Sequence, residues 1–387
     1  MKGLYIVATV TMAAVSSVFA LLAEIERTYG IPESQLGWIS GSAFVGALIT
    51  QLGLARYADE GHGTLLLRGG VVASAVGLIW FGAATELWQF VLARAVLGAG
   101  VGMIVPPARR YIIVTAGANQ GERLGTFYGA YLAGFVFGPP LAGALTELTY
   151  IRVPFFAFGA ACLACLFALR NLEITGTVRS GGATGSRVLL RLIRSRRMVA
   201  ALLVVLSFRY SIGVFEPLWA PHLDNLGAST ITITLSLTSF ALPMLLVARW
   251  AGRLTDRFGA RPTSVLSALA TVPIMAAYGF LTSVPVLIAL TVPQGLLEAI
   301  QSPGSQAAVA NAADEDDAAA AQGLGEAGGS VAAMLGAFTA APLYDWLGPG
   351  PAWLIAALTM LALISTSALL DPVGGRRSRT ALSTPAG

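Results

Sequence analysis

The sequence predicts an all-α integral membrane protein in which twelve transmembrane helices form two six-helix pseudo-repeats around a central cavity. The composition is 56% hydrophobic and 11% charged, with a mean hydropathy of +0.73, and such a chain is solvated mostly by lipid. Its apolar stretches recur at about the 20 residues that a membrane-spanning helix requires. A basic, glycine-containing segment at residues 172–197 divides the chain, and motifs on either side of it repeat at an offset close to 197 residues.

Each predicted span is an apolar run bounded by charged residues, glycine or proline. The twelve runs lie at residues 3–25, 36–57, 64–85, 88–114, 122–147, 152–171, 198–220, 229–251, 262–281, 284–308, 321–344 and 350–370. The first run follows Lys2 and could pass for a signal peptide, but the number of later spans favours an uncleaved first helix. The predicted domains are an N-terminal bundle (1–171), a cytoplasmic linker (172–197), a C-terminal bundle (198–371) and a cytoplasmic tail (372–387).

The distribution of arginine predicts the orientation, because positively charged residues concentrate in loops that stay in the cytoplasm. The loops after even-numbered spans and the tail hold Arg56, Arg123, Arg179, Arg187, Arg191, Arg194, Arg196, Arg197, Arg253, Arg257, Arg261, Arg376, Arg377 and Arg379. The other side holds mainly Arg27 and Arg152. We therefore expect a multi-pass protein of the cytoplasmic (inner) membrane with both termini in the cytoplasm. These loops also account for the sequence pI of about 9.3, so no nucleic-acid partner is implied.

A charged hairpin at residues 252–261, with the sequence GRLTDRFGAR, joins the eighth and ninth spans. Its glycines allow close backbone approach, its arginines favour the cytoplasmic side, and its aspartate can pair with an arginine or a helix N-terminus. A weaker copy at residues 55–59 matches the first five positions, before Glu60 and His62 depart from the pattern. The halves also align at Gly98 with Gly295, Pro106 with Pro303 and Gly30 with Gly227.

These features resemble the major facilitator superfamily over essentially the whole chain, and the hairpin is similar to motif A of that family. The first copy departs from the family, which usually has a basic residue in place of Glu60 and a glycine in place of His62. The fifth span is similar to motif C of the family's antiporters, with alanine in place of one glycine at Ala142; its matching residues are Gly125, Gly134, Gly138, Pro139 and Gly143. Such a series gives a helix a thin face for close packing. The resemblance implies a drug/proton antiporter-like branch that exports its substrate.

The resemblance also implies a conformational latch in the state whose cavity is closed to the cytoplasm. The second hairpin would then press on the start of the fifth span, where Asp256 meets a positive helix end and Arg257 pairs with Glu122. The remaining residues assigned to the latch are Asp59, Gly252, Gly259 and Arg261.

Charged residues inside the spans are the candidates for proton coupling, because each costs about 2.5–3.5 kcal/mol at the membrane centre. Arg94, four residues before Gly98, is similar to the arginine of motif B, which the family associates with proton transfer; a structural hydrogen-bond anchor is the alternative. Arg209 and Glu216 are seven residues apart and share a helical face, and Glu298 lies in the tenth span. We expect the two carboxylates to carry protons, Glu216 foremost because the following proline loosens its helix. A static ion-pair network is the alternative.

Arg109 and Arg110 follow two prolines in the fourth span, where adjacent side chains point about 100° apart. Only one of them can face the cavity squarely, where it would attract a carboxylate or phosphate on the cargo. Alternatively, both extend to the lipid headgroups. Further candidates for the cavity wall are Gln51, Tyr128, Tyr131, Phe208, Tyr210, Trp219 and Gln294.

The sequence contains no enzyme motif in the structural context that the motif requires. The GxGxxG sequence at residues 323–328 opens an apolar helix with no preceding strand, and no GxxxxGK[ST] sequence exists. His62 and His222 are isolated, and Cys162 and Cys165 share one face of an apolar helix. We therefore expect no enzyme activity, cofactor or metal; the expected partners are a small-molecule substrate, protons and the bilayer, with the chain as a monomer.

The predicted function is secondary active transport, with proton-coupled efflux of a small amphipathic molecule by alternating access at the interface between the repeats. The alternative is an organic-anion importer or exchanger, which is favoured if Arg109 and Arg209 converge on the cavity from the two halves. A transceptor or a structural membrane partner is a third possibility, and an extra folded domain would be its signature.

Overall fold

The computed structural model describes residues 1–59, 61–116, 120–172, 174, 186–314 and 317–371, and these are helical with no strand among them. The helices are α1 (Lys2–Ala20), α2 (Leu22–Tyr29), α3 (Glu33–Asp59), α4 (Gly63–Ala83), α5 (Leu87–Ala116), α6 (Gln120–Leu148), α7 (Arg152–Ala168), α8 (Ser186–Arg194), α9 (Arg196–Asn225), α10 (Thr230–Phe258), α11 (Ala260–Tyr278), α12 (Val284–Asn311), α13 (Ala318–Leu347) and α14 (Pro349–Leu370).

Twelve of these helices take the positions of the predicted spans, and α2 and α8 are additional short helices. Ten spans are long and apolar enough to cross a membrane by length and composition. The other two are α7, which is shorter at 17 residues, and α11, whose buried face carries Thr263, Ser264 and Ser267. The all-helical, twelve-span fold is therefore confirmed.

Two segments differ from the predictions. The first span is interrupted at Leu21, and α2 continues as a separate polar helix that ends at Gly30 in the left-handed conformation, with φ of 64°. Part of the linker forms α8, which the sequence did not predict because this segment has no long apolar run. Leu192 of α8 is buried, and Arg191 donates a hydrogen bond to Asp317. The rest of the linker at 173 and 175–185 and the tail at 372–387 lie outside the described residues.

The two halves, α1–α7 and α9–α14, each have a core, and the C-terminal core extends across the interface to Phe19, Ala20 and Ala23. Aromatic rings fill the C-terminal core, where Trp219 stacks on Phe215 with ring centroids 4.7 Å apart and packs edge-on against Tyr278. The halves touch mainly where α3 meets α13 and where α6 meets α10. Helices α5 and α9, which face each other across this interface, bring their charged residues between the halves.

The halves converge toward one membrane side only. We call the side of Met1 and the α10–α11 turn the terminal side, and the side of Gly30 and the α9–α10 turn the opposite side. Toward the opposite side, a Cβ added to Gly37 of α3 would lie 2.3 Å from the Ala337 carbonyl oxygen of α13. Toward the terminal side, a Cβ added to Gly125 of α6 or Gly323 of α13 would meet nothing within 4 Å. The charged side chains of Arg109, Arg209 and Glu326, which face one another across the interface toward this side, are also about a third exposed. We call this accessible part of the interface the vestibule.

Close packing of α6 on α1 explains two glycines of the fifth span. A Cβ on Gly134 would lie 2.2 Å from the Thr9 carbonyl oxygen, and one on Gly138 would lie 2.6 Å from the Ala13 Cα. Because both contacts involve backbone atoms, a methyl group can be accommodated only if the helices separate.

We expect Gly138→Ala to lower the stability of the protein by about 1–3 kcal/mol, because the added methyl overpacks this contact. Thermal unfolding of the purified protein measures the loss. Gly125→Ala is the matched control in the same helix, since its methyl meets no atom within 4 Å. Equal unfolding temperatures for the two variants would contradict the packing argument.

Candidate functional site

A buried ion pair joins the halves. Arg94 of α5 donates through Nη2 to Glu216 Oε1 of α9 at 2.5 Å and through Nη1 to the Val15 carbonyl oxygen at 3.2 Å. The Arg94 side chain is 1% exposed and that of Glu216 is 11% exposed. Both residues are among the candidates for proton coupling that the sequence predicts. Arg209 shares a helical face with Glu216, but the structure places Arg94 of the other half beside Glu216.

The energetics of this pair differ from those of a surface ion pair. Two buried charges attract strongly but lose their hydration, so such a pair adds little net stability, whereas removal of one partner leaves an uncompensated buried charge. The state of the pair is therefore tied to the separation of the halves: when α5 and α9 part, both charges need new partners or water.

Three charged side chains form a second group nearer the terminal side. Glu326 of α13 lies 3.2 Å from Arg209 Nη2 and 3.9 Å from Arg109 Nη1. Arg109 belongs to the N-terminal half and the other two residues to the C-terminal half, so Arg109 and Arg209 do converge from the two halves. Each side chain keeps about a third of its surface exposed. Arg209 and Glu216 are about 10 Å apart along α9, so the two charged groups are stacked along the interface.

Glu326 was not among the residues selected from the sequence. It was considered only as part of the GxGxxG sequence at residues 323–328, which carried no nucleotide site. The available signal was the cost of an acidic residue eight positions into an apolar helix, the same signal that identified Glu216 and Glu298.

Polar and aromatic residues surround this second group. Arg209 and Glu326 are close enough to Tyr128 and Tyr131 of α6 to interact electrostatically with both. Tyr128 is 41% exposed and also lies close to Arg109. Gln51 of α3 accepts a long hydrogen bond of 3.5 Å from Ser330 of α13.

The other candidate residues lie within the C-terminal half. Glu298 is 2% exposed and accepts a hydrogen bond of 3.0 Å from Gln294, whose amide oxygen accepts one from the Tyr278 hydroxyl. Trp219 is fully buried and donates to Ser236 at 2.8 Å. Phe208 is 9% exposed, and Tyr210 packs against the C-terminal core. Trp219 and Gln294 are thus core residues in this state and do not line the vestibule.

Bridges between the halves seal the opposite side. Arg27 of α2 lies 3.2 Å from Asp224 of α9, and the Asn225 amide donates to Glu33 of α3 at 2.5 Å. Thr230 of α10 donates to Glu24 at 3.0 Å. All three bridges connect the two halves, so opening this side requires breaking them.

Glu26 of α2 makes the seal sensitive to pH. The pKa of Glu26 is raised to about 7, first by burial and then by the neighbouring carboxylates of Glu33, Asp224 and Asp345, from α3, α9 and α13. When the seal opens, Glu26 regains water and moves away from the acidic residues of α9 and α13, so its pKa should return toward 4.5. The sealed state binds this proton more tightly than the open state does. The proton therefore stabilises the sealed state fully below a pH of about 4.5, and this stabilisation is lost as the pH rises to about 7.

We therefore expect a lower pH to favour the sealed state, and Glu26→Gln to remove most of this dependence between pH 4.5 and 7. Cys162 and Cys165 are first replaced by alanine, and spin labels are then attached at Thr149 and Thr282, which lie on exposed loops of the two halves. The distance between the two labels measures how far the halves separate on the opposite side. An unchanged pH profile in the Glu26→Gln variant would assign the dependence to other groups.

The hairpin residues assigned to the latch do not bridge the halves in this state. Asp256 and Arg257 are exposed, and Arg257 lies over the Phe258 ring. Gly259 takes a positive φ of 95° in the α10–α11 turn, and Arg261 pairs with Asp371 at 2.5 Å within its own half. Glu122 is exposed at the start of α6, Gly252 has open space around it, and the side chain of Asp59 lies outside the described part of the chain. Because the latch is expected with the terminal side closed, it stays a prediction.

Twelve spans in two halves, with charged groups at their interface and a vestibule open to one side, form the architecture of a membrane transporter, and the family of the chain is one of transporters and not of enzymes. The chain belongs to the Major Facilitator Superfamily, whose family model matches residues 4–224 and 201–385.

Curated relatives of the chain include a multidrug resistance protein and an MFS-type transporter. It is similar to the multidrug resistance protein MdtG of Dickeya zeae, with 27% identity over 55% of this chain and 54% of that protein. It is also similar to the uncharacterized MFS-type transporter YuxJ of Bacillus subtilis, with 24% identity over 60% of this chain and 61% of that protein. The matched part thus spans little more than half the length of these relatives.

Solved structures share the fold at low identity. The nucleoside transporter NupG superposes with a TM-score of 0.78 at 13% identity, over 96% of this chain and 99% of that one. A bacterial homolog of the human lysosomal transporter Spinster, in an inward-facing and occupied conformation, superposes with a TM-score of 0.70 at 16% identity, over 95% and 94% of the two chains.

Proposed function

We propose that this chain exports a small amphipathic molecule in exchange for protons, by alternating access and as a monomer in the inner membrane. The observation that carries the proposal is the buried Arg94–Glu216 ion pair, which crosses the interface that must open and close. The multidrug resistance name of the MdtG relatives supports export over import.

The pair provides a route from proton binding to conformational change. While the opposite side is sealed, the Glu216 carboxylate is paired with the Arg94 guanidinium, so a proton on Glu216 has to leave for this pair to form. When the halves part on the opposite side, Glu216 loses this partner and is exposed to external water, where it takes up a proton. The protonated Glu216 then returns toward Arg94, and the proton leaves as the ion pair forms again, so that neither buried charge stays unpaired.

Glu298 has a secondary place in this proposal. Its carboxylate is held by Gln294 inside the C-terminal half and does not cross the interface. It can accept a proton that leaves Glu216, but the separation of the halves does not break its hydrogen bond.

Asp256 acts in the opposite part of the cycle, when the terminal side is closed. We expect Asp256→Asn to lower turnover more than substrate affinity, because the variant loses a favourable contact with a helix N-terminus in that state, worth about 0.3–1 kcal/mol. Initial rates over a range of substrate concentrations separate the two effects. Asp314→Asn, an exposed site on the same side, is the control; turnover equal to the wild type in a well-expressed Asp256 variant would contradict the latch.

Uptake into inverted membrane vesicles tests the proposed function. Vesicles that contain this chain are given a pH gradient and offered a panel of amphipathic cations, zwitterions and anions, with a collapsed gradient as the control. Accumulation that requires the gradient supports proton-coupled export. Accumulation that ignores the gradient, or that occurs only in right-side-out vesicles, would contradict it.

The second candidate is an organic-anion importer or exchanger of the same fold. The convergence of Arg109 and Arg209 on one carboxylate favours this candidate. The direction of accumulation in the two vesicle orientations distinguishes it from export.

A further inference from the structure

We infer that Glu326 is an internal substitute for a carboxylate on the cargo, and that Arg109 and Arg209 bind this group of an amphipathic organic anion. The inference rests on the proposed function only in that the vestibule admits the cargo. It assigns a ligand class and a competing side chain to a cluster whose acidic member has no other evident task.

The charges of the cluster are unequal. Two guanidinium groups face one carboxylate, so the Arg109–Glu326–Arg209 cluster carries a net charge of about +1 where water is limited. Glu326 is within hydrogen-bond distance of Arg209 at 3.2 Å, but only at the limit of an ion pair with Arg109 at 3.9 Å. One carboxylate therefore serves two cations, and the excess positive charge attracts an anion from the vestibule.

Accessibility distinguishes this cluster from the proton-coupling pair. Arg94 is 1% exposed, whereas the side chains of Arg109, Arg209 and Glu326 are 32%, 29% and 34% exposed. A solute in the vestibule can thus reach these three groups but not Arg94. The exposed ring of Tyr128 supplies an apolar face next to the charges, which suits a ligand with an aromatic body and an anionic end.

A glycine of α13 positions Arg209. A Cβ added to Gly329 would lie 2.8 Å from Arg209 Cγ and 3.0 Å from its Nε, so the arginine stem lies directly on the helix backbone. One position earlier, a Cβ added to Gly328 would come no nearer than 3.4 Å, to Leu206. Gly329→Ala therefore displaces the guanidinium without changing any charge, and Gly328→Ala is its matched control.

Competition between Glu326 and the cargo follows from hydrogen-bond geometry. A guanidinium binds a carboxylate best through two parallel hydrogen bonds, and a cargo carboxylate between Arg109 and Arg209 would occupy the space of the Glu326 carboxylate. Glu326 must move away for the anion to bind. Since Arg109 and Glu326 belong to different halves, the anion would also replace a contact between the halves with a bridge through itself.

Binding of matched ligand pairs to the purified full-length protein in nanodiscs tests the inference by calorimetry. The probes are the aromatic carboxylates 1-naphthoate, indole-3-acetate and 4-phenylbutyrate, each compared with its neutral primary amide. We expect at least one carboxylate to bind more tightly than its amide, and Glu326→Gln to tighten that carboxylate about tenfold while the amide changes little. We expect Arg209→Gln and Gly329→Ala to reduce the preference for the carboxylate, and Gly328→Ala to retain it.

Three results would overturn the inference. In the first, carboxylates and amides bind alike to the wild type and to Glu326→Gln; in the second, neither binds to any variant. In the third, Glu326→Gln weakens carboxylate binding although the thermal unfolding of the protein is unchanged. The proposed function has a separate readout, which is accumulation driven by a pH gradient. Anion preference without gradient-driven accumulation would retain the inference and reject proton coupling, and the reverse result would reject the inference alone.

Discussion

Glu216→Gln is expected to abolish transport driven by a pH gradient while the protein still folds and binds its cargo. The amide keeps the size of the side chain and can still accept a hydrogen bond from Arg94, but it cannot gain or lose a proton. Accumulation in inverted vesicles should therefore fall to the level of the collapsed-gradient control. Exchange of labelled for unlabelled cargo across the membrane, which requires no net proton movement, should persist.

Two further variants make this result specific. Glu86→Gln removes an exposed carboxylate at the opposite-side end of α5 and should transport like the wild type. Glu298→Gln should lower coupled transport less than Glu216→Gln, because Glu298 lies within one half and its bond does not cross the interface. Coupled transport at the wild-type rate in a well-folded Glu216→Gln variant would remove Glu216 from the mechanism.

Arg94→Met is expected to cause the largest loss of stability among single substitutions at the interface. The methionine leaves the Glu216 carboxylate buried without its cation, and loss of one partner of a buried ion pair costs about 3–5 kcal/mol. Glu216 can relieve part of this cost by taking up a proton, so the loss should grow as the pH rises. Thermal unfolding at several pH values measures both effects.

The double variant Arg94→Met/Glu216→Leu separates the energy of the pair from the cost of an unpaired charge. Because two apolar side chains of similar volume can replace a buried ion pair with little loss, we expect the double variant to recover most of the stability that Arg94→Met loses. It should also lose gradient-driven transport, since it has no group at this position to carry the proton. A double variant that is less stable than Arg94→Met would contradict this expectation. It would show that the attraction within the ion pair exceeds the free energy lost when its two charges are buried.

Several features of the transporter followed from local sequence. Spans are readable because each must be about 20 apolar residues long, and the charged hairpin at residues 252–261 is specific enough to indicate the family. Arg94 and Glu216 were identified one at a time, because any charge inside a span requires a partner or a use. Glu326 meets the same criterion, although it also belongs to the GxGxxG sequence at residues 323–328.

The partners of these charged residues could not be predicted from local sequence. Sequence spacing placed Arg209 and Glu216 on one helical face, and this is correct for α9, but residues seven apart on one helix are separated by about 10 Å. The partners come from other helices: Arg94 of α5 for Glu216 and Glu326 of α13 for Arg209. Each pairing depends on the rotation of a helix about its axis and on its depth in the bundle.

The sequence by itself determined the membrane class, the twelve spans, the two repeats and the family, because lipid restricts the length and polarity of each segment independently of its neighbours. Only the tertiary structure decided which arginine meets which carboxylate and which side of the interface is sealed. These properties arise from contacts between the halves, and the same chain must make and break such contacts as its conformation changes. A local sequence pattern is identical in every conformation, so it does not distinguish them.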